Sequence, residues 1–225
     1  MIVLDSPKIG TVLQAGYEAF RRMLADGECE FGLNEVAIGA SHPDAKRYIE
    51  FGAKDDAGMP AAVRDLRLQL CNVLNDQLEL ISTRLPLATG SCLADLIDRT
   101  NGPVLRLSWY AAGAVGEVNH PHTDIDLFTM LPQATGPGLQ LWASDGWHAA
   151  NLSSDEVLIL PGDMLKHFGG VPAVLHRVVG GDCGRISASL FVNAEPTLAT
   201  RQGIEISDIF AQRLTAVRAN HRTGS

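Results

Sequence analysis

The sequence NHPHTDID places His122 and Asp124 two residues apart. In an extended segment side chains alternate, so this imidazole and this carboxylate point to the same side and can converge on one metal ion. H-x-D arises by chance in many chains and needs support from elsewhere. His176, in the later run VLHRVV, is the candidate third ligand. The competing reading of His176 is a hydrogen-bonded histidine among apolar core residues. Two histidines and one carboxylate on one face of an octahedral iron(II) leave the opposite face open for a co-substrate and O2. A closed set of four ligands would have pointed to structural zinc instead.

A second group follows His176. In RISASLFVN, alternation gives Arg185, Ser187, Ser189, Phe191 and Asn193 one face of a strand, and Ile186, Ala188, Leu190 and Val192 the other. A guanidinium on a core strand needs a partner, because unpaired buried charge is costly. A dicarboxylate such as 2-oxoglutarate would supply one, bound bidentately by Arg185 with a hydroxyl from Ser187. A solvated face, or a protein carboxylate opposite Arg185, explains the pattern equally well. Phe191 and Asn193 are candidate substrate contacts. So are Arg106, for which a structural ion pair is the alternative, and His120, for which an exposed rim position is. Trp109 reads as core packing, Asp126 as a residue behind the site or in a turn, and Gly162-Asp163 as a tight turn.

These groups need a β framework, and the chain supplies one from Val104 onward. The runs VLRLSWY, DLFTMLP, GLQLWA, EVLILPGD, VLHRVV and RISASLFVN are short, β-rich and separated by turn residues. Such spacing predicts a β sandwich or barrel. Before it the chain is mainly helical. The spacing predicts one helix over 11–25 and a longer one over 61–84, opened by Pro60 and closed before Pro86. Residues 28–60 read as loop with a possible short strand, and 207–219 as a closing helix. One domain over 1–225 accommodates all of this: a helical part to about 100, a β core over 104–195 and the final helix.

With 26 acidic against 18 basic residues the net charge is −8, which disfavours nucleic acid and anionic membrane surfaces. No apolar run approaches the ~20 residues of a membrane helix. The four cysteines include no C-x-x-C pair, and MIVLDSPKIG has no secretory pattern, so free thiols in the cytoplasm are expected. Oligomeric state is not legible.

Taken together, LRLSWY, HTDIDLFTML, GLQLW, PGDML, LHRVV and RISASLF resemble, in order and spacing, the isopenicillin N synthase-like family of Fe(II)/2-oxoglutarate oxygenases. YIEFG and the stretch 60–85 resemble the family more weakly. The resemblance implies a double-stranded β-helix, or jelly roll, with helices packed on one sheet. It also implies iron held by His122, Asp124 and His176, and 2-oxoglutarate bound by Arg185 and Ser187 with Tyr110 beside it. The implied reaction couples oxidative decarboxylation of 2-oxoglutarate by O2 to oxidation of a substrate C–H bond. Asp124 sets the chain apart from related halogenases, which lack that carboxylate, so hydroxylation of a small molecule is expected, an amino acid or a specialised metabolite. The chain departs from the family in a shorter N-terminal portion, in Ser108 where asparagine is common, and in a stretch before His176 about two residues shorter. Two other classes stay open: an oxidase of the same fold that uses no 2-oxoglutarate, and a non-catalytic jelly-roll module that binds metal or nothing.

Overall fold

The structure, a computed structural model, describes residues 2–26, 34–35, 46–55, 58–88, 92–200 and 202–222. The alternating runs are strands, and they assemble into two antiparallel sheets. The larger has seven strands, in the spatial order β1 (Ile2–Asp5), β9 (Glu156–Pro161), β6 (Phe128–Pro132), β11 (Arg185–Val192), β4 (Val104–Tyr110), β3 (Lys46–Phe51) and β2 (Asn34–Glu35). The smaller has four, in the order β5 (Glu117–His122), β10 (His176–Val179), β7 (Leu139–Ala143) and β8 (Gly146–Ala149). This is a double-stranded β-helix with flanking helices.

The two faces of the large sheet bury different things. Ile186, Ala188, Leu190 and Val192 of β11 join Leu105 and Leu107 of β4 in a core shared with helices α1 (Ile9–Asp26) and α2 (Ala61–Arg84). Tyr17 and Phe20 of α1 have no exposed surface there. A fully buried side chain of that size contributes about 1.5–3 kcal/mol. The Tyr17 hydroxyl also takes the Ala188 N–H at 3.1 Å and donates to the Gln133 carbonyl at 2.8 Å, which pins α1 to the sheet. A second core, including Tyr110, Leu131, Leu141, Leu158 and Val178, fills the space between the sheets.

Helix α2 spans the residues its apolar period predicts. Pro60 precedes it with φ already near the helical value, at −54°, and the Leu85 N–H closes its last turn on the Ile81 carbonyl at 2.8 Å. The expected helices over 11–25 and 207–219 are each longer by a few residues, the second being α4 (Ile206–Arg222), which follows the single-turn α3 (Leu93–Leu96). Residues 46–51, read as part of a loop with a possible short strand, form β3 and run beside β4 for most of its length. Strands β1, β5 and β8 lie outside the anticipated runs; β1 is an edge strand on β9, and its partner is more than 150 residues distant. Cys71, Cys92 and Cys183 form no disulfide among the described residues, and Cys29 lies outside them. No helix among the described residues is long and apolar enough to cross a membrane.

Candidate metal centre and co-substrate cleft

Strands β5 and β10 pair so that His122 and His176 are direct cross-strand partners. Their rings sit 4.3 Å apart, tilted by 53°. Each ring places Nδ1 against a backbone carbonyl two residues earlier in the chain, His122 on His120 at 2.6 Å and His176 on Val174 at 3.1 Å. A carbonyl only accepts, so Nδ1 carries a proton in both rings, the tautomer in which Nε2 is the atom available to a metal. Both Nε2 atoms face Asp124, at 3.7 Å from Oδ1 and from Oδ2 respectively. One donor atom from each of the three residues lies within 4.8 Å of the others, an arrangement that can hold a metal ion. Two neutral imidazole nitrogens and one carboxylate oxygen are the donor set that suits iron(II) with open positions.

Charge at the site is organised for a cation. Burial, with the His176 ring next to it, lowers the His122 imidazole to about 4, so it is neutral at pH 7 and has no proton to lose on ligation. Burial alone would raise the Asp124 carboxyl. The two histidines and a hydrogen bond from Thr129 outweigh burial and keep it below the usual carboxylate range. Asp126 goes the other way, well above its ordinary value, through burial and the Asp124 charge nearby. Thr129 Oγ1 lies 2.5 Å from Asp124 Oδ2 and 2.9 Å from Asp126 Oδ2. Its single proton serves one carboxylate at a time, and the lowered Asp124 and raised Asp126 favour donation to Asp124.

The loop that carries Asp124 rests on the turn after β9. Gly162, Asp163 and Met164 donate their backbone N–H groups to the carbonyls of Leu127, Asp124 and Asp126, at 2.8, 2.8 and 3.0 Å. A Cβ on Gly162 would collide with the Asp126 backbone carbonyl. Gly162→Ala is therefore expected to destabilise the protein by about 2–3 kcal/mol, read as a lowered thermal midpoint. An unchanged midpoint would mean that the two turns are not packed this closely.

Across the cleft, the register of β3, β4 and β11 sets side chains in rows. Lys46, Tyr110 and Arg185 form one; Tyr48, Ser108 and Ser187 the next; Glu50, Arg106 and Ser189 a third. Arg185 is 8% exposed and packs on the Tyr110 ring at 5.4 Å. Its Nε and Nη1 have no hydrogen-bond partner, and no carboxylate among the described residues pairs with it. Burial lowers its pKa, and the neighbouring Tyr110 and Tyr17 offset this in part. Neither a solvated face nor a carboxylate among the described residues explains this guanidinium. Ser187, buried beside it, and Tyr110 line the same cleft as the three metal-site residues.

The remaining candidates divide. Arg106 lines the cleft and is also an ion pair: Nε and Nη2 donate to Glu50 Oε1 at 2.8 and 2.5 Å, and the guanidinium is flanked by the Tyr48 and Phe191 rings, each at 4.7 Å. Phe191 lines the cleft as well. His120 does not; its side chain is 59% exposed and its Nδ1 lies 3.1 Å from Glu117. The cause is a register shift in β5, where Val178 faces Asn119 while His176 faces His122. The extra residue breaks the alternation, so Asn119 turns into the cleft and His120 out of it. Asn193 lies beyond the end of β11, and its carbonyl takes the Asp98 N–H at 2.9 Å. Two of the cleft's polar residues sit on segments that the strand pattern did not assign to it. Lys46 and Asn119 are both buried, joined by a 2.7 Å hydrogen bond from Nζ to Oδ1.

Comparison with known proteins agrees with this geometry. Residues 106–194 match the model of the 2OG-Fe(II) oxygenase superfamily. Among curated proteins no sequence matches the chain. Among solved structures, a Shewanella oneidensis protein named only as a candidate oxygenase aligns with a TM-score of 0.76 at 24% identity, over 96% of this chain and 89% of its own. A full-length Neurospora crassa protein, solved in complex with alpha-KG, gives 0.71 at 19%, over 96% and 86%. The dioxygenase for auxin oxidation in rice gives 0.60 at 16%, over 92% and 80%. At these identities the structures speak for the fold, and the family match covers the strands that hold the three metal-site residues and Arg185. The chain is thus similar to the 2OG-Fe(II) oxygenase superfamily over residues 106–194, the segment that carries its candidate metal site.

Proposed function

We propose that the chain is a single-domain Fe(II)- and 2-oxoglutarate-dependent dioxygenase of the isopenicillin N synthase-like group, working in the cytoplasm and hydroxylating a C–H bond of a small molecule. The observation that carries the proposal is the buried Arg185, without a counter-ion among the described residues, in the cleft of the two-histidine, one-carboxylate site. That cation is stable in the working enzyme only when a ligand carboxylate reaches it. A 2-oxoglutarate-independent oxidase or an inert module would have no use for it.

In this reading His122, Asp124 and His176 hold the iron. Arg185 binds the remote carboxylate of 2-oxoglutarate, Ser187 adds a hydrogen bond, and the Tyr110 ring bounds that end of the cleft. Iron, when bound, supplies the activation of O2 that couples decarboxylation of 2-oxoglutarate to oxidation of the substrate. Asp126, through Thr129, holds the orientation of the Asp124 carboxylate. Arg106 and Phe191 form the wall beyond Ser187 and Ser189, where the substrate sits. Arg106, Lys46, Asn119 and Ser189 make that wall polar, which favours a substrate with oxygen acceptors, an amino acid or a specialised metabolite. Related folds have been solved with small molecules bound, thymine in the Neurospora crassa protein and JA in JOX2.

The test is iron-dependent consumption of O2 with formation of succinate, screened across small-molecule substrates. Stimulation of both by a substrate supports the assignment. O2 consumption without succinate would favour the oxidase reading, and neither signal from iron-loaded protein across the screen would favour the binding module.

A further inference from the structure

We infer that Arg213, on the C-terminal helix, is a positioning residue for the metal centre, an inference that rests on reading His122, Asp124 and His176 as metal ligands. Helix α4 buries Ile206 and Ile209 in its first turn, and Arg213, four residues after Ile209, continues the same face. Its Nη2 donates to Thr123 Oγ1 at 3.2 Å and to the Asp163 carboxylate. Thr123 is the residue between His122 and Asp124, and its own hydroxyl donates to Asp163 Oδ2 at 3.1 Å. Asp163 in turn donates its backbone N–H to the Asp124 carbonyl at 2.8 Å. One guanidinium is thus tied to the backbone of the metal-site loop by two routes, one through a side chain within H-x-D and one through the turn beneath it.

Asp163 is 7% exposed, so its carboxylate needs a cation. Lys166 offers one from the exposed side at 3.6 Å, longer than a hydrogen bond. Arg213 makes the direct contact. With Arg213 gone, Thr123 and Asp163 keep only each other, and the buried carboxylate is drawn toward water or toward Lys166. The turn that fixes Asp124 then loosens. His122 and Asp124 must be reordered when a metal arrives, and that cost appears as weaker binding. A purely structural Arg213 would hold α4 on the body and leave the metal centre unaffected.

The two roles separate in a titration of the metal-free full-length protein with Mn(II), which reports ligation without turnover. Arg213→Ala is expected to raise the Mn(II) dissociation constant about tenfold. Arg213→Lys should recover part of this, since it keeps the charge and loses the fork. Asp163→Asn should match Arg213→Ala, and the double variant should be no worse than either, because both remove the same contact. Ile209→Ala loosens α4 without touching Asp163. It should lower the thermal midpoint and leave Mn(II) affinity within about twofold of wild type. Wild-type affinity in Arg213→Ala overturns the inference, as does an equal weakening in Ile209→Ala. Should Arg213→Ala not fold, unchanged affinity in Asp163→Asn overturns it just as well. Failure of the wild-type protein itself to bind Mn(II) would remove the metal-site reading, a result distinguishable from all of these.

Discussion

Replacing His176 with alanine is expected to lower turnover by more than about 100-fold while the protein stays folded. Removing a partner that only orients a metal ligand typically costs about 10- to 100-fold, and loss of the ligand itself should exceed that. His176 is 5% exposed, and its Nδ1 is taken up by the Val174 carbonyl. Its Nε2 faces Asp124 and His122, so the loss falls on the metal. His176→Ala leaves two protein donors, one of them a carboxylate already drawn toward Thr129. The cavity costs stability on the order of 1–3 kcal/mol, visible as a lower thermal midpoint with the transition still cooperative. Near-normal succinate formation in folded His176→Ala would remove His176 from the metal centre. His176→Gln, which keeps much of the volume, should be closer to wild type in midpoint and equally poor in turnover.

The parts of the centre that were legible in the sequence are those set by strand alternation or by short spacing. Arg185 and Ser187 fall together because alternate residues of a strand share a side, whereas His122 ends β5 and Asp124 follows it on a loop, so there the short spacing alone keeps the pair together. Alternation fails where the backbone departs from it. The extra residue in β5 turns Asn119 into the cleft and His120 out of it. Asn193 misses the cleft because the strand ends before it. Lys46 was hidden for a different reason. It opens a six-residue strand that follows a stretch without periodicity, and its place beside Tyr110 depends on a pairing between segments more than 60 residues apart. Thr129 is the one polar residue in FTML, and nothing local marks it, yet it hydrogen-bonds both Asp124 and Asp126. Nothing in the local sequence sets Arg213 apart from the other charges of the terminal helix. Only the docking of α4 beside the Asp163 turn gives it a role. Long-range register and helix docking are tertiary facts, and a local pattern carries neither.

Removing the Arg185 charge should weaken 2-oxoglutarate binding and, in the same protein, relieve a stress on the fold. A charge-assisted bidentate contact contributes about 1.5–3 kcal/mol, more where water is excluded, so Arg185→Ala should raise the 2-oxoglutarate dissociation constant about 10- to 100-fold or more. Arg185→Lys keeps the charge without the fork and should recover part of the affinity. Ser187→Ala removes one neutral hydrogen bond, about 0.5–1.5 kcal/mol, and should cost less. Metal affinity should change little in all three, since none of these side chains is in the donor set. The stability of the ligand-free protein should move the opposite way. Arg185 is buried, and two of its nitrogens lack partners, so without a ligand the charge opposes folding. Arg185→Met fills similar volume without charge and is expected to raise the thermal midpoint of the ligand-free protein while abolishing tight 2-oxoglutarate binding. A residue present for structure would lower the midpoint when replaced; one present for a ligand raises it. The affinity is read from the absorbance of the anaerobic Fe(II)–2-oxoglutarate complex and the midpoint by calorimetry. Unchanged 2-oxoglutarate affinity in folded, iron-loaded Arg185→Met would defeat the role assigned to Arg185 and return the oxidase and the binding module to contention.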